Sequence, residues 1–436
     1  MWTRFLTPVF TASSLIIIGC AAPTAMATDA DAKNKVAAST FSHPDPAPKV
    51  SANTQNPTQE VRFETWKANF IERAIARGHN PAIVRAMIGR AKINPLALDR
   101  DKTQPEFNSP IWSYVDKTTS PDRISRGKAL LTENAQLLRD IQERYRVSPH
   151  VLTAIWGLES SYGRILGDHN IIDALATFAF EGRRTKFGEE QLFAALDIVK
   201  SGKVRPAQLT GSWAGAMGMT QFIPTTFRDY AVDFDGDGNQ DLWKNNADAL
   251  GSAGHYLSRF GWRLSEPIYA EVKLSPRFDY SLSDGRKMSV NDWTALGAAP
   301  VGGQRWSAEA GFLEAKLLVP AGAKGPKFLT FKNFDVIKKY NNSTSYALGI
   351  ATLSESFRDR PTIVAPWPKG DKQVGRTDLK RLQTRLTALG YDTKGADGIV
   401  GPNTRKAVRN WQSSKGLTAD GYIEKSLFDK IMNSQG

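Results

Sequence analysis

Apolar residues recur at helical spacing through most of the chain beyond residue 60, and this pattern predicts a mainly helical domain. The first predicted helix has its apolar positions at Phe63, Trp66, Phe70, Ile71 and Ile75. Asn80 and Pro81 are typical of the start of a second helix. A longer helix is predicted from about 121 to 145, and others over 174–180 and 188–199.

The period changes near residue 267, where apolar and polar residues alternate and Gly, Pro and Asp turns become frequent. This change predicts a small β-rich insertion over about 267–330. The helical pattern returns over 334–357 and closes the main domain, which we place at 61–360. Prolines between 361 and 368 then make a short, stiff linker.

The last segment, over 374–436, is predicted to be a separate module. Its first helix ends at Gly390 and has its apolar positions at Leu379, Leu382, Leu386 and Leu389. The sequence then repeats a short pattern, because Asp397-Gly398 and Asp420-Gly421 each lie in a loop that leads into a helix. So short a segment buries a thin core and contains no acid/base or metal cluster, which favours a three-helix binding module.

The first 27 residues resemble a secretory signal, because Arg4 precedes an apolar run over 5–18 that is too short to span a bilayer. Two processing sites are open: a lipobox ending at Cys20, and a cleavage site at Ala25-Met26-Ala27. Cys20 is the only cysteine, so it is the candidate lipidation site and no internal disulfide can form. Residues 28–60 have the composition of a flexible linker.

The formal net charge of +13 predicts acidic partners, among which are nucleic acid, anionic lipid and an anionic wall polymer. The chain contains no recognisable nucleic-acid motif, and an exported protein does not meet nucleic acid. We therefore expect no nucleic-acid partner. The charge is better suited to holding an exported protein against an anionic cell wall.

A carboxyl group lies on or beside the apolar stripe of the helix predicted between Ser148 and Gly163. Ser148 is a candidate N-cap, Pro149 fits the first helical position, and Gly163 is a stop signal. The stripe consists of Val151, Leu152, Ile155 and Leu158. Burial would raise the pKa of Glu159, as a general acid requires. The alternative is a glutamate that turns to water or pairs with Arg164.

The segment over 211–224 is dense in glycine, alanine and methionine, which lets backbone or ligand approach closely. Ser212 and Gln221 are its polar groups, and both are candidates for contact with a ligand. The alternative is a helix–helix contact that packs through the small residues.

An acidic loop follows, and its spacing matches positions 1, 3, 5, 6 and 9 of an EF-hand calcium loop. Its candidate ligands are Asp233, Asp235, Asp237, Asn239 and Asp241. Position 12, where a bidentate Glu is expected, is Lys244, so the coordination would be incomplete and the affinity weak. The alternatives are a structural calcium ion without a catalytic role, and a loop that folds through Asx-type turns without metal.

Two tyrosines, Tyr340 and Tyr346, lie six residues apart on a loop that leads into a helix. Tyrosine offers a flat apolar face for a sugar ring and a hydroxyl for hydrogen bonding. The alternative is that both side chains simply cover the core.

Together these motifs resemble the membrane-bound lytic murein transglycosylase B family. The matching residues occur in the family's order within about 61–357. They form four groups: 157–164; 214–218 with 221, 222 and 224; 235–238 with 241–243; and 340–341 with 346–347. The last sixty residues or so resemble a peptidoglycan-binding module, with Asp397-Gly398 and 401–404 as the recognisable loop.

The resemblance implies an α+β, mainly α fold, with a lysozyme-like catalytic domain, a small β-rich insertion and a C-terminal three-helix module. It implies non-hydrolytic cleavage of the MurNAc–GlcNAc bond of peptidoglycan. By position, Glu159 corresponds to the catalytic acid/base. The residues that correspond to sugar-contacting or cleft-lining groups are Ser212, Gln221, Tyr114, Tyr256, Tyr340 and Tyr346. Met219 departs from the pattern, because the family often has a polar residue there.

One carboxyl group is enough for this chemistry if the 2-acetamido oxygen of MurNAc attacks the anomeric carbon. Glu159 would protonate the leaving oxygen and then accept the proton of the C6 hydroxyl, which closes a 1,6-anhydro ring. No cofactor is required. A lysozyme-type hydrolase on the same scaffold would instead need a second carboxyl, from Asp168, Asp173 or Glu181. A non-catalytic wall-binding scaffold is the other alternative.

The expected partners are peptidoglycan glycan strands, with a lipid anchor and cell-wall synthesis proteins as further candidates. The expected location is the periplasm of a Gram-negative bacterium, either soluble or anchored to the outer membrane through Cys20.

Overall fold

The computed structural model describes residues 58–103, 110–303, 305–360 and 363–435. The predicted signal segment, Cys20 and nearly all of the predicted linker over 28–60 lie outside the described residues. None of the helices in the described ranges has the length and apolarity that a bilayer crossing would require.

Residues 58–90 form a small helical unit, which contains α1 (Gln59–Ala76) and α2 (Pro81–Ile88). Thr58 caps α1 by accepting a hydrogen bond from the backbone N–H of Val61. The predicted apolar face is present, with Phe63 and Phe70 buried and Trp66 stacked against both rings. Asn80 accepts hydrogen bonds from two backbone N–H groups at the start of α2, which confirms the predicted helix start.

The second unit begins at residue 91 and contains the other described elements. Its first helices are α3 (Pro95–Thr103), α4 (Ile111–Thr118), α5 (Pro121–Glu133), α6 (Ala135–Tyr145), α7 (Pro149–Ser160), α8 (Ile171–Phe180), α9 (Thr185–Lys200), α10 (Pro224–Tyr230) and α11 (Asn246–Arg259). The single helix predicted over 121–145 is wrong, because the chain breaks it at Asn134. There the side-chain amide donates to the carbonyl of Leu130, and such local bonds compete with the helical backbone pattern.

The helix α7 lies in the middle of this unit and packs against α5, α6, α11 and α15 (Thr344–Ser356). It is apolar on all sides and not along a single stripe, and nine of its twelve residues are buried. A helix that is apolar all round is stable only when other elements cover it. The structure therefore buries most of the polar residues that α7 carries, namely Thr153, Glu159 and Ser160.

The predicted β-rich insertion is a five-stranded antiparallel sheet, which with the helices confirms the expected mainly helical α+β fold. Its strands follow the order β4-β6-β7-β3-β5 and are β3 (Tyr269–Leu274), β4 (Lys287–Ser289), β5 (Ala298–Pro300), β6 (Glu314–Leu318) and β7 (Lys327–Thr330). Helices α12 (Val290–Ala295) and α13 (Ala308–Gly311) lie between the strands. Trp293 is fully buried under the sheet and donates its indole N–H to the carbonyl of Ala315.

After the sheet, α14 (Lys332–Tyr340) and α15 return the chain to the helical core. A second, two-stranded sheet pairs β1 (His169–Asn170) with β2 (Thr210–Gly211). Short 3-10 turns lie at Pro206–Gln208, Tyr280–Ser283 and Val301–Gly303.

The C-terminal segment forms the expected three-helix module, with α16 (Arg376–Ala388), α17 (Pro402–Ser414) and α18 (Lys425–Met432). Its core is small and is built around Leu382, Leu386, Val408, Trp411, Phe428 and Ile431. The leucines predicted at helical spacing therefore supply part of this core. Gly390 has φ +89° two residues beyond the end of α16, in agreement with its predicted role as a stop.

Candidate active site

The C-terminal end of α7 is shaped by three consecutive residues in the left-handed region. Ser161, Tyr162 and Gly163 have φ values of 50°, 62° and 77°. The helix therefore ends at Ser160, and not at Gly163 as the sequence predicted. Left-handed backbone is unfavourable for residues other than glycine, so strong local contacts must hold this turn in place.

Those contacts come from both sides of the turn. The hydroxyl of Tyr162 donates to the carbonyl of Arg123 at 2.6 Å, and its ring lies so close to Gly157 that a Cβ there would be 2.6 Å away. The hydroxyl of Ser160 donates to the carbonyl of Met219 at 2.7 Å and accepts from the backbone N–H of Gly163 at 2.9 Å. The residue before Ser160 is thereby fixed in position.

At the other end of α7, Ser148 occupies the N-cap position but does not cap the helix with its side chain. Its hydroxyl accepts a hydrogen bond from Nη2 of Arg358 at 3.1 Å. The predicted capping bond is therefore wrong, although the predicted start of the helix at Pro149 is correct.

Glu159 lies inside the protein with 6% of its surface exposed. Its Oε1 accepts a hydrogen bond of 2.5 Å from the hydroxyl of Tyr346. Its Oε2 is buried and has no hydrogen-bond partner among the described residues. The alternative of a glutamate paired with Arg164 is wrong, since Arg164 is exposed and Glu159 bonds to Tyr346.

Burial raises the pKa of Glu159 to about 8, and the hydrogen bond from Tyr346 opposes part of that rise. No neighbouring carboxyl among the described residues contributes to the shift. A carboxyl with this pKa carries its proton at neutral pH, and the unpaired Oε2 is the atom that can deliver it. The raised pKa expected from the apolar helix is present.

Tyr340 and Tyr346, which lie six residues apart in the sequence, pack side by side next to Glu159. The rings of Tyr340 and Tyr346 are nearly parallel, with an interplanar angle of 8° and centroids 6.5 Å apart. The hydroxyl of Tyr340 donates to the carbonyl of Thr220 at 2.5 Å. Burial and the neighbouring Glu159 raise the pKa of Tyr346 well above its ordinary value, so this hydroxyl stays protonated and remains a donor.

Tyr256 and Tyr114 flank this pair. Tyr256 is buried with its ring centroid 5.2 Å from that of Tyr340, and its hydroxyl donates to the carbonyl of Lys339 at 2.6 Å. Tyr114 is half-buried on α4, close enough to Tyr346 to affect its pKa. The structure thus brings together Glu159 and the four predicted tyrosines, but the hydroxyls of Tyr256 and Tyr340 bond to backbone carbonyls.

The small-residue segment over 211–224 is a series of turns, so the alternative of a helix–helix contact is wrong. Ser212 closes one turn by accepting a hydrogen bond on Oγ from the backbone N–H of Ala216 at 3.1 Å. Gly211 permits this turn, because a Cβ there would lie 2.0 Å from the carbonyl oxygen of Ala216. The hydroxyl hydrogen of Ser212 is not used in this bond.

Gln221 is buried and has a φ of 49°, in the left-handed region. Its Nε2 donates to the carbonyls of Leu166 and Gly218 at 3.1 and 2.9 Å. Its Oε1 accepts no hydrogen bond from the described residues, so the carbonyl end of this amide is the part available to a ligand. The fold has fixed the amide so that Gln221 presents an acceptor.

Comparison with known proteins decides the family. The model of the transglycosylase SLT domain matches residues 62–355, and that of the peptidoglycan binding domain matches residues 375–431. The chain belongs to the SLT transglycosylase family. The resemblance inferred from the four motifs is thereby confirmed, together with the expected enzyme class of lytic transglycosylase.

Two relatives are similar to this SLT transglycosylase over more than half of its length. It is 30% identical over 249 residues to membrane-bound lytic murein transglycosylase B of Escherichia coli K12, an alignment that covers 56% of this chain and 66% of that protein. The crystal structure of SltB3 from Pseudomonas aeruginosa in complex with NAG-NAM-pentapeptide superimposes with a TM-score of 0.82 at 42% identity. That match covers 85% of this chain and 99% of SltB3.

A third relative has a structure that contains calcium. The structure of the Escherichia coli lytic transglycosylase Slt35 in complex with calcium superimposes with a TM-score of 0.58 at 28% identity, covering 67% of this chain and 92% of that one. Calcium is thus known to be present in that relative's structure.

In the acidic loop of this SLT transglycosylase, the carboxylates organise the backbone. Asp233 accepts hydrogen bonds from the N–H groups of Gly236 and Gly238, both at 2.8 Å. Asp241 accepts from Trp243 and Lys244. Oxygen atoms of Asp233, Asp235 and Asp248 all lie within 4.8 Å of one another.

The sequence reasoning missed Asp248, which is fully buried in the first turn of α11 and accepts from the N–H groups of Phe234 and Asp241. Burial raises the pKa of this carboxyl. It also missed Asn341, whose buried Oδ1 has no partner among the described residues. Asn341 lies within the recognised Tyr340-Asn341 motif, so the signal for it was present, whereas Asp248 lies outside the EF-hand spacing.

Proposed function

We propose that this protein cleaves the β-1,4 bond between MurNAc and GlcNAc in peptidoglycan without water and leaves 1,6-anhydroMurNAc ends. The observation that carries the proposal is the state of Glu159: buried, held by Tyr346 on Oε1, with a free Oε2 and a pKa raised to about 8. Such a group is a proton donor at neutral pH and becomes a base once it has lost its proton.

In the first step Glu159 acts as the acid. The 2-acetamido oxygen of MurNAc attacks the anomeric carbon while the bond from that carbon to the GlcNAc oxygen breaks. The proton on Oε2 moves to the departing oxygen. The hydroxyl of Tyr346 remains on Oε1 and stabilises the carboxylate that forms, because hydrogen bonds to a charged acceptor are the stronger kind.

In the second step the same carboxylate acts as the base. It accepts the proton of the C6 hydroxyl, whose oxygen attacks the anomeric carbon, and the bond from that carbon to the acetamido oxygen breaks. The product is the 1,6-anhydro ring, and Glu159 has regained its proton. Apolar surroundings favour this outcome, because they exclude the water that would otherwise give hydrolysis.

The other polar groups position the sugar. We assign to Oε1 of Gln221 the role of acceptor for a sugar hydroxyl or amide, and to the hydroxyl of Ser212 the role of donor. Tyr114 and Tyr340, which are both half-buried, supply the flat surface for a sugar ring, while Tyr346 is buried and acts through its hydrogen bond to Glu159. Oδ1 of Asn341 is a further acceptor that needs a partner.

A hydrolase of lysozyme type is the less favoured candidate, since it would need a second carboxyl beside the reacting carbon. Asp168 is exposed, Asp173 accepts a hydrogen bond from the backbone N–H of Lys92, and within the described part of the chain no carboxyl contributes to the pKa of Glu159. A non-catalytic scaffold is also disfavoured, because a buried carboxyl with an unpaired oxygen is costly unless it has a function.

The test is mass spectrometry of muropeptides released from purified sacculi by the wild type and by Glu159→Gln. Anhydro ends from the wild type, and none from the variant, are expected. Reducing ends would instead indicate the hydrolase, and intact strands after prolonged incubation with the wild type would indicate the scaffold. Near-normal activity of Glu159→Gln would remove Glu159 from the mechanism.

We place this activity outside the cytoplasm, with the N-terminal segment as export signal and Cys20 as the candidate anchor. The E. coli relative is membrane-bound. The net charge of +13 supports attraction to an anionic wall, which would make binding to sacculi sensitive to salt. Cell-wall synthesis proteins remain candidate partners.

We also assign a structural calcium ion to the acidic loop, with no part in the reaction. The convergence of Asp233, Asp235 and Asp248 supports it, because oxygen ligands from carboxylates suit a hard cation. Lys244 at position 12 is exposed and cannot ligate, and Asp248 from α11 takes its place as the third carboxylate. Asp237 and Asp241 are the candidates for the remaining positions.

A further inference from the structure

The C-terminal module contains the same side-chain arrangement twice. In the first copy Gln383 accepts the backbone N–H of Gly398 on Oε1 at 2.7 Å and donates from Nε2 to Oδ1 of Asp397 at 3.0 Å. In the second copy Gln412 accepts the N–H of Gly421 at 2.8 Å and donates to Oδ1 of Asp420 at 2.8 Å.

The resemblance extends to the residues around each copy. The two glycines have φ values of +77° and +72°, and both pack against basic side chains of the preceding helix. In each helix two basic residues precede the glutamine at the same spacing. They are Arg376 and Lys380 in the first copy, and Arg405 and Arg409 in the second.

The second copy is docked on the β-rich insertion. Arg405 and Arg409 both pair with the carboxylate of Asp284. Oδ2 of Asp420 accepts the backbone N–H of Ala323 at 2.8 Å. Tyr422 packs over Gly322, where a Cβ would lie 2.6 Å from Cβ of Tyr422. This docked surface therefore binds one carboxylate, one backbone N–H and one stretch of bare backbone.

The first copy presents the equivalent groups to solvent. Arg376, Lys380 and Asp397 are exposed. Ile399, which is equivalent to Tyr422, is 58% exposed and is among the few large apolar side chains so exposed. Oδ1 of Asp397 accepts from Gln383 and from the N–H of Ile399, while Oδ2 accepts no hydrogen bond from the described residues.

We propose that Arg376, Lys380, Asp397 and Ile399 form a binding surface for an acidic peptide, namely the peptide stems of peptidoglycan. The contacts of the docked copy indicate which groups the ligand must carry. These are a carboxylate for the two cations, a backbone N–H for Oδ2 of Asp397, and peptide backbone or a small side chain over Ile399. A peptide stem carries all three groups along one continuous backbone, whereas in a glycan strand without peptides the lactyl carboxylate and the acetamido N–H are separate substituents of a sugar ring, and no peptide backbone covers Ile399. This assignment rests on the proposed function, in which peptidoglycan is the substrate.

The test is the affinity of the full-length protein for the free peptide stem, cut from muropeptides so that it carries no sugar and cannot occupy the glycan site. The double variant Arg376→Ala/Lys380→Ala is compared with Lys406→Ala/Lys415→Ala, which removes the same charge from exposed positions elsewhere on the module. Isothermal titration calorimetry of both, at low and physiological salt, gives the affinities.

Loss of the two charge-assisted contacts is expected to weaken the peptide affinity at least about tenfold, with little change in the control pair. Asp397→Asn should also weaken it, because a donor then replaces the free acceptor. Equal affinities for wild type and double variant would overturn the proposal, and so would an equal loss in the control. Self-association that depends on Arg376 and Lys380, seen by sedimentation, would overturn it in favour of a second copy.

The outcome is separable from that of the proposed function. If the wild type releases reducing ends but the peptide affinity depends on Arg376 and Lys380, the mechanism fails and the binding surface remains. If anhydro ends appear and the affinity is unchanged in the double variant, the binding surface alone fails.

Discussion

Tyr346 donates its hydroxyl hydrogen to Oε1 of Glu159 at 2.5 Å, across 187 positions of the sequence. The bond joins the first turn of α15 to the last turn of α7 in the core of the helical unit. It fixes which of the two carboxyl oxygens is free. Because Oε1 is occupied, the proton available for chemistry is on Oε2, and the geometry of the acid is set before the substrate arrives.

Replacement of Tyr346 by phenylalanine is expected to reduce kcat more than it alters KM, because the carboxylate formed in the first step loses its donor. Hydrogen bonds to charged groups are worth about 1.5–3 kcal/mol, which corresponds to roughly tenfold to hundredfold in rate. The same hydrogen bond opposes the rise in the pKa of Glu159, so its removal should move the alkaline limb of the pH–rate profile above its position near pH 8.

Tyr340→Phe is the matched control, since the hydroxyl of Tyr340 bonds to the carbonyl of Thr220 and not to Glu159. The alkaline limb of the pH–rate profile of Tyr340→Phe should stay at its wild-type position. Rates of release of anhydro-muropeptides between pH 5 and 10 measure both variants. A shift of the limb in both, or in neither, would contradict the role assigned to Tyr346.

The buried carboxyl of Glu159 should also make the stability of the protein depend on pH. Its pKa is raised from 4.5 to about 8 in the folded state, so the folded protein retains a proton that the unfolded chain has lost. The contribution to stability is full below pH 4.5 and is lost as pH rises through 8. Between these values the free energy of unfolding should fall by about 1.4 kcal/mol per pH unit from this group.

Glu159→Gln removes the titration while keeping the shape of the side chain. Denaturant unfolding at several pH values should therefore give similar stabilities for wild type and variant near pH 4.5, with the variant increasingly more stable toward pH 9. The difference between the two proteins isolates Glu159 from the other titrating groups. A difference that does not change with pH would mean that the carboxyl is not held protonated by the fold.

The sequence indicated the acid but not its partner. Apolar neighbours at Val151, Leu152 and Ile155 indicated a buried Glu159 with a raised pKa, but they left open a glutamate that turns to water. The bond to Tyr346 could not be predicted from spacing, because it depends on how α15 packs against α7. The family resemblance placed both residues in the site, but it did not predict that the hydroxyls of Tyr256 and Tyr340 are bonded to backbone carbonyls.

Local sequence patterns gave wrong helix boundaries where tertiary contacts determine the backbone conformation. The break at Asn134 divides a segment that is periodic enough for one helix, and the left-handed turn after Ser160 occurs before the glycine that would favour it. The repeated Asp-Gly loops of the C-terminal module were visible in the sequence. That one of them is docked through Asp420 and the other exposed at Asp397 required the structure.

Calcium is expected to stabilise the protein, with Asp248 as the essential ligand. At a concentration one hundred times its dissociation constant, an ion that binds only the folded state adds about 2.7 kcal/mol. Asp248→Asn should abolish most of the rise in melting temperature that calcium produces. Asp140→Asn, which alters an exposed carboxylate on α6, should retain it. An equal calcium response in the wild type and in Asp248→Asn, measured by calorimetry after dialysis against a chelator, would rule out this ligand set.

The docking of the C-terminal module should depend on the absence of a side chain at Gly322. A Cβ there would lie 2.4 Å from Oδ2 of Asp420, which is the atom that accepts the N–H of Ala323. Gly322→Ala is therefore expected to separate the module from the insertion, because this clash adds to the backbone strain of placing alanine at φ +59°.

Gly202→Ala is the control, because Gly202 has φ +78° and nothing within 4 Å of its Cβ position. Small-angle scattering and limited proteolysis of the linker near residue 368 should detect separation in Gly322→Ala only. If both variants remain as compact and as resistant as the wild type, the contact at Asp420 does not hold the module in place.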